Sequence, residues 1–214
     1  MVPRVTDERT TRPAPVPAPQ VLLEPPFDQP LFALALRAAF SKSTPRFLSL
    51  PSALSPASAR RLRQLARPHL QPFDLADRGR YRFAELPITE LSPLRAQLRD
   101  FAAAVSGLSL SPGSARIFVF ARGDYSLRFD DARTRQHARA IEATLDLSPA
   151  PGPHGATVYS EGLFTHLPVA QLPGQLTLVE RSPQSARFDR YRSATSGGAR
   201  AFILLRASFP LAES

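Results

Sequence analysis

The hydrophobic pattern divides the chain into a helical front and a β-rich remainder. Leu31 to Phe40 (LFALALRAAF) is almost wholly apolar, and Asp28 with Pro30 supplies a start signal, which predicts a helix from Gln29 to about Phe40. Its composition suits either burial on several sides or a partner surface. Ser55-Pro56 is a second start signal, with serine as cap and proline at the first position. Ala59, Leu62 and Leu65 then recur at helical spacing, with the arginines on the other side. A third helix follows Thr89 or Ser92, carries Leu94, Leu98, Phe101, Ala102 and Val105 on one face, and stops at Gly107.

After Gly107 the period changes. Short apolar or alternating runs separated by Gly and Pro turns predict strands near 116–121, 125–130, 140–147, 155–160, 166–170, 175–180, 185–191 and 199–208. Eight short strands behind helices predict a sandwich or open barrel with the helices packed outside one sheet. The last of them, in ARAFILLRASF, alternates poorly and is largely apolar, as a central strand should be. Within 125–130, Tyr125, Leu127 and Phe129 share one face, and Ser126, Arg128 and Asp130 share the other. A cation and a carboxylate on one strand face suit chemistry, a salt-bridged core or a plain solvent face.

Composition narrows the classes. The net charge is +9, and Lys42 is the single lysine among the 27 basic residues. The arginines are dispersed, so no compact patch for nucleic acid forms. There is no cysteine, hence no disulfide framework and no thiolate metal site. No apolar run approaches a membrane span and no signal peptide is visible, which makes the cytoplasm the expected location. Residues 1–20, with Pro13, Pro15, Pro17 and Pro19, read as a disordered arm, 21–114 as a helical support region and 115–214 as the core. The phosphate-loop, nucleophile-elbow and zinc-helix motifs are missing, and His69, His137, His154 and His166 form no pair at ligand spacing.

Several phrases in order resemble the 2-oxoglutarate and Fe(II)-dependent oxygenases, in particular their prolyl-4-hydroxylase-like branch. FLSLPSALSPASARRLRQLA is similar to the start of that family's first long helix, and RIFVFARGDYSLRFDD to its strand, Gly-Asp turn and metal strand. GATVYSEG and LPGQLTLVERSP resemble later core strands, and FDRYRSATSGGARAFILLRASF the closing pair. The likeness covers residues 46 to 209. It implies a mainly β chain with N-terminal helices and a double-stranded β-helix (jelly-roll) core.

Carried over residue by residue, the family's first iron-binding histidine falls on Arg128, the aspartate on Asp130 and the distal histidine on Asp189. Arg187 is a competing position for the last, and the 2-oxoglutarate-binding arginine falls on Arg200. Two imidazoles are thus replaced. Arginine has no lone pair for a metal, and two carboxylates fall short of the usual two-His-one-carboxylate set. The resemblance therefore implies a degenerate triad with no metal or cofactor expected, and only Asp130 and Asp189 as ligands if a metal binds. It implies a non-catalytic protein acting as a binding subunit, with a protein partner that could be an enzyme. Two alternatives stand beside it. One is a working hydroxylase using Fe(II) and 2-oxoglutarate with unorthodox ligands such as His137, His154 or His166. The other is different chemistry, or small-molecule binding, in the same cavity.

Overall fold

The computed structural model describes residues 21–75, 79–85, 88–127, 139–150, 156–161, 165–170, 172–190 and 201–212. Three α-helices and eleven strands are found there. The helices are α1 (Pro30–Lys42), α2 (Pro56–Ala66) and α3 (Ile88–Ser106). The early strands are β1 (Phe47–Leu50), β2 (Gln71–Leu75), β3 (Gly79–Glu85), β4 (Ser114–Phe120) and β5 (Tyr125–Ser126). They are followed by β6 (Ala140–Asp146), β7 (Ala156–Glu161), β8 (Thr165–Ala170), β9 (Leu176–Arg181), β10 (Ser185–Asp189) and β11 (Phe202–Pro210).

The start signal of α2 acts where expected, whereas α1 begins at Pro30 after Gln29 with no side-chain cap. Ser55 caps α2, its Oγ accepting from the Ser58 amide at 3.2 Å, with Pro56 in the first turn. The third helix starts earlier than Thr89 or Ser92 would place it, at Ile88, and Pro93 lies inside it near the N-terminal end. Pro93 is the sixth residue, just past the four free amides of the helix start, so it removes the bond that an amide there would donate to the Thr89 carbonyl. The strands from β4 on begin within a few residues of the predicted ranges, and β1, β2 and β3 precede them in the front region.

All pairings between these strands are antiparallel. One sheet runs β1-β9-β6-β11-β4-β3-β2, with β5 attached to β3, and the second runs β10-β7-β8. The curled large sheet and the small one form the jelly-roll core. β11 is central, between β6 and β4, so its run of apolar residues is buried from both sides. Gly174 feeds β9 from a turn with φ +78°, and a Cβ there would stand 2.5 Å from the Leu54 carbonyl oxygen, a position only glycine fills.

The large sheet has two unlike faces, set by strand parity. Ile117, Ile141, Leu145, Leu178, Leu205 and Phe209 join Leu62, Leu94 and Leu98 of the helices in the main core. The alternate residues point into the barrel, where Phe120, Phe202 and Leu204 pack with Tyr81. Full burial of one such Leu, Ile or Phe side chain stabilises by about 1.5–3 kcal/mol. The helix α1 departs from the several-sided burial that its composition suggested. It packs on α3, buries Ala33 and Phe40, and leaves Leu31 80% and Leu34 47% exposed. One partner helix covers only one side of a cylinder.

Candidate functional site

The barrel-facing parity that places phenylalanines inward also places charges inward. On β11 the residue after Leu204 with the same direction is Arg206, and on β6 it is Glu142 and Thr144. Across the barrel, β7 supplies Thr157 and Tyr159, opposite Asp189 and Arg187 of β10. Two buried ion-paired clusters result.

The first cluster centres on Asp189, which is 2% exposed. Its Oδ2 accepts from Arg206 Nη1 at 2.9 Å and from Ser126 Oγ at 2.8 Å. Its Oδ1 accepts from Thr157 Oγ1 at 2.8 Å and from Arg206 Nη2. Ser126 Oγ also accepts from the Asp189 amide at 2.8 Å, so β5 and β10 are tied at one point. Ser126 reaches that point through the predicted Gly-Asp turn. Gly123 takes φ +87° there, and Asp124 Oδ2 accepts from the Ala121 amide at 2.7 Å. Burial alone would push the Asp189 carboxyl up. The Arg206 charge and hydrogen bonds, with Arg187 and Ser126, outweigh it and hold the group below the usual carboxylate range.

The second cluster centres on Glu142, which is 3% exposed. Its Oε1 accepts from Tyr159 Oη at 2.7 Å, and its Oε2 from Arg181 Nη1 at 3.0 Å and from Arg187 Nη1. Burial and then the Glu142 charge raise the Tyr159 phenol above its ordinary range, so it stays protonated and donates.

Beside the clusters lies a cavity of about 100 Å³, walled by Phe73, Tyr81, Phe83, Phe118 and Phe120 and by Arg116, Arg187 and Arg206, with Ser126 and Asp189 at its floor. The Arg206 guanidinium carbon lies 5.1 Å from the Phe118 ring centre and that of Arg187 lies 6.0 Å from it, within cation–π range. At the rim, Arg116 pairs with Glu85 at 2.7 Å. Arg206 Nε is buried without a hydrogen-bond partner among the described residues. Such orphan donors are rare and costly in folded chains.

Of the residues that the resemblance nominated, Arg128, Asp130 and Arg200 lie outside the described residues, as do His137 and His154. Asp189 and its competitor Arg187 both line the cavity. His166 is exposed on β8, away from it. The reading of the sequence passed over Arg206, Glu142, Thr157, Tyr159 and Arg181. The available signal was a charge set inside an apolar strand, as in FILLRASF and AIEATLD, at the parity of the barrel interior.

Neither a search of family models nor a search of curated proteins finds a match for this chain. Solved structures do match. A Pseudomonas putida prolyl-4-hydroxylase superposes with a TM-score of 0.62 at 14% identity, covering 85% of this chain and all of that one. A 2OG-Fe(II) oxygenase-family oxidoreductase from Burkholderia pseudomallei gives 0.62 at 13%, covering 83% of this chain and 90% of the other. The epimerase SnoN from nogalamycin biosynthesis, in complex with Fe3+, alpha ketoglutarate and nogalamycin RO, gives 0.57 at 13%, covering 86% of this chain and 85% of the other. The fold is that of the 2-oxoglutarate and Fe(II)-dependent oxygenases, in the form that the prolyl hydroxylases share.

This corrects the expectation that no cofactor is involved. The Burkholderia pseudomallei protein is of the 2OG-Fe(II) oxygenase family, and SnoN was solved with Fe3+ and alpha ketoglutarate, so these structures point to that pair, which the sequence offered as its alternative. The described residues do not by themselves present an iron site. Among them no three His, Asp or Glu side chains converge on a metal-sized position. Both oxygens of Asp189 are already engaged by Arg206, Ser126 and Thr157. Arg187, the competing position, is a cation without a lone pair.

Proposed function

We propose that the mouth of the barrel binds a small organic anion, with its carboxylate held at the arginines and its body against the phenylalanine wall. The observation that carries this reading is the lining of the cavity, where Arg116, Arg187 and Arg206 stand beside a wall of aromatic rings. Arg206 is preorganised for an anion, because its guanidinium is already fixed by Asp189 and Thr157. Arg116 and Arg187 add positive charge, and the rings exclude water, which strengthens each of these contacts. A dicarboxylate of the 2-oxoglutarate class has the size and charge for such a site. The role of partner subunit drawn from the sequence gains no support from the barrel itself.

A second reading is favoured by the solved structures that share the fold. In it the chain is a hydroxylase that uses Fe(II) and 2-oxoglutarate, which together supply dioxygen activation. The chain's own part would be to hold the carboxylate at Arg206 and to keep water from the cavity with Phe118 and Phe120. An iron centre would draw its ligands from elsewhere than Asp189.

Calorimetric titration with 2-oxoglutarate, succinate and benzoate, each with and without Mn(II), tests both. The first reading expects metal-independent binding, weakened by Phe118→Ala and by Arg116→Gln, two changes that spare the Asp189–Arg206 pair. Binding of 2-oxoglutarate only when metal is present selects the second. No binding of any of the three under either condition overturns both.

A further inference from the structure

The exposed face of α1 has a self-complementary order. Leu31, Leu34, Ala35, Ala38 and Ala39 are all exposed on it, and the charges on that side stand at its ends. Asp28, exposed, stands two residues before the helix, and Lys42, exposed, is its last residue. Neither has an ion-pair partner among the described residues. Arg37, the charge in the middle of the helix, is turned aside, its Nε donating to the Ala104 carbonyl at 2.9 Å. The opposite face is already committed to α3 through Phe27, Phe32 and Phe101.

We propose that α1 is a homodimer interface, pairing antiparallel with α1 of a second copy about a two-fold axis between Leu34 and Ala35. That axis brings Leu31 against Ala38 of the partner copy, and Leu34 against Ala35. Each large side chain meets a small one, which lets the helices approach and interlock. The same axis sets Asp28 beside Lys42 of the partner copy, and by symmetry does so twice. The symmetry follows from the sequence, since 31 and 38 are equidistant from the centre, as are 28 and 42 to within one residue. A two-fold contact is isologous, so one patch must complement itself, and this one does in both volume and charge. The patch is small by the standard of stable interfaces, and the net charge of +9 adds repulsion between copies. The dimer is therefore weak, concentration-dependent and favoured by moderate salt, which screens the net charge more than contacts at short range.

Sedimentation equilibrium on the full chain, over a hundredfold range of concentration, reads this directly. The expected mass rises from that of one chain toward that of two. Leu34→Glu keeps it at one chain throughout, with an unchanged circular-dichroism spectrum because Leu34 makes no core contact. Asp28→Lys and Lys42→Asp each weaken dimerisation by about tenfold, and the two together restore it. The native chain has no cysteine, so Ala35→Cys, next to the axis, gives a disulfide-linked dimer on oxidation. A wild-type chain that stays monomeric at every concentration overturns the proposal, and so does a double reversal no better than the singles. Slow alkylation of Leu31→Cys in a monomer assigns the face to another segment of the same chain and overturns it equally.

Discussion

The two faces of the large sheet are built from the same strands and solve different problems. The face toward the helices is a continuous layer of Leu, Ile, Ala and Phe. It gains stability by removing apolar area from water, and each residue contributes in proportion to its size. The face toward the barrel carries Arg206, Glu142, Thr144 and Arg181 among its aromatics. There the charges are costly unless paired, so what matters is whether each finds its partner, across the barrel or on the neighbouring strand. An apolar layer tolerates loss by degrees. A buried ionic layer does not, because one deletion strands another charge.

That contrast sets the expected outcomes. The largest effect belongs to Arg206→Leu, which leaves Asp189 buried without its cation and costs about 3–5 kcal/mol in urea denaturation. Adding Asp189→Leu to it should recover a large part of that loss, since no charge remains stranded at the pair. If the double variant loses the sum of both single changes, the barrel face is behaving like the helix face and the comparison fails.

Leu145→Ala, on the helix side, should cost about 2–5 kcal/mol, according to how far the core closes over the gap. No second deletion nearby is expected to restore it. A compensating partner would show that this face too is held by specific pairs.

The acid limb should be smaller and differs in sign between groups. Asp189 and Glu180 are held below the usual carboxylate range, against the upward push of burial, by Arg206 and by Arg139 with Arg46 respectively. Their stabilisation is fully present above the unfolded carboxylate value of about 4 and is lost as pH falls through the lower folded values. Asp146 runs the other way. Burial raises it, despite hydrogen bonds from Ser148 and the charge of Arg63, so its contribution is present at low pH and lost as pH rises. Asp189→Asn should therefore flatten the fall in stability below about pH 4, read by chemical denaturation across a pH series, and Asp146→Asn should steepen the acid limb just above about pH 4, between its unfolded and its raised folded value. An Asp189→Asn slope equal to that of the wild type would mean the carboxylate is not charged in the native state.

The smallest effect is expected at the rim. Arg46 pairs with Glu180 at 3.1 Å with its side chain 45% exposed. Arg46→Ala should cost about 0.2–1 kcal/mol, in keeping with a solvated pair. A loss as large as that of Arg206→Leu would erase the distinction between rim and interior.

Much of the fold could be read from the chain itself because it rests on short-range rules. Ser55-Pro56 starts a helix by satisfying free amides, and the β-branched and aromatic run from Ile117 to Phe120 marks a strand by its composition. The apolar run Phe202–Leu205 announced a central strand because only a strand covered on both sides can be apolar throughout. The exposure of α1 was not legible, since LFALALRAAF is equally apolar whether or not a second surface covers it. The site was legible only in outline. Asp189 could be named from the order of strands, but its partner could not. Arg206 lies in the next described strand and on the other sheet, and nothing local distinguishes it from the other arginines near the C-terminus. Glu142 meets Arg187 through the same folding of one sheet over the other, and Arg181 from the neighbouring strand of its own sheet. The sequence determined which residues alternate and therefore which share a face. The tertiary structure alone decided which buried charges meet, because pairing across a barrel depends on the register of strands far apart in the chain.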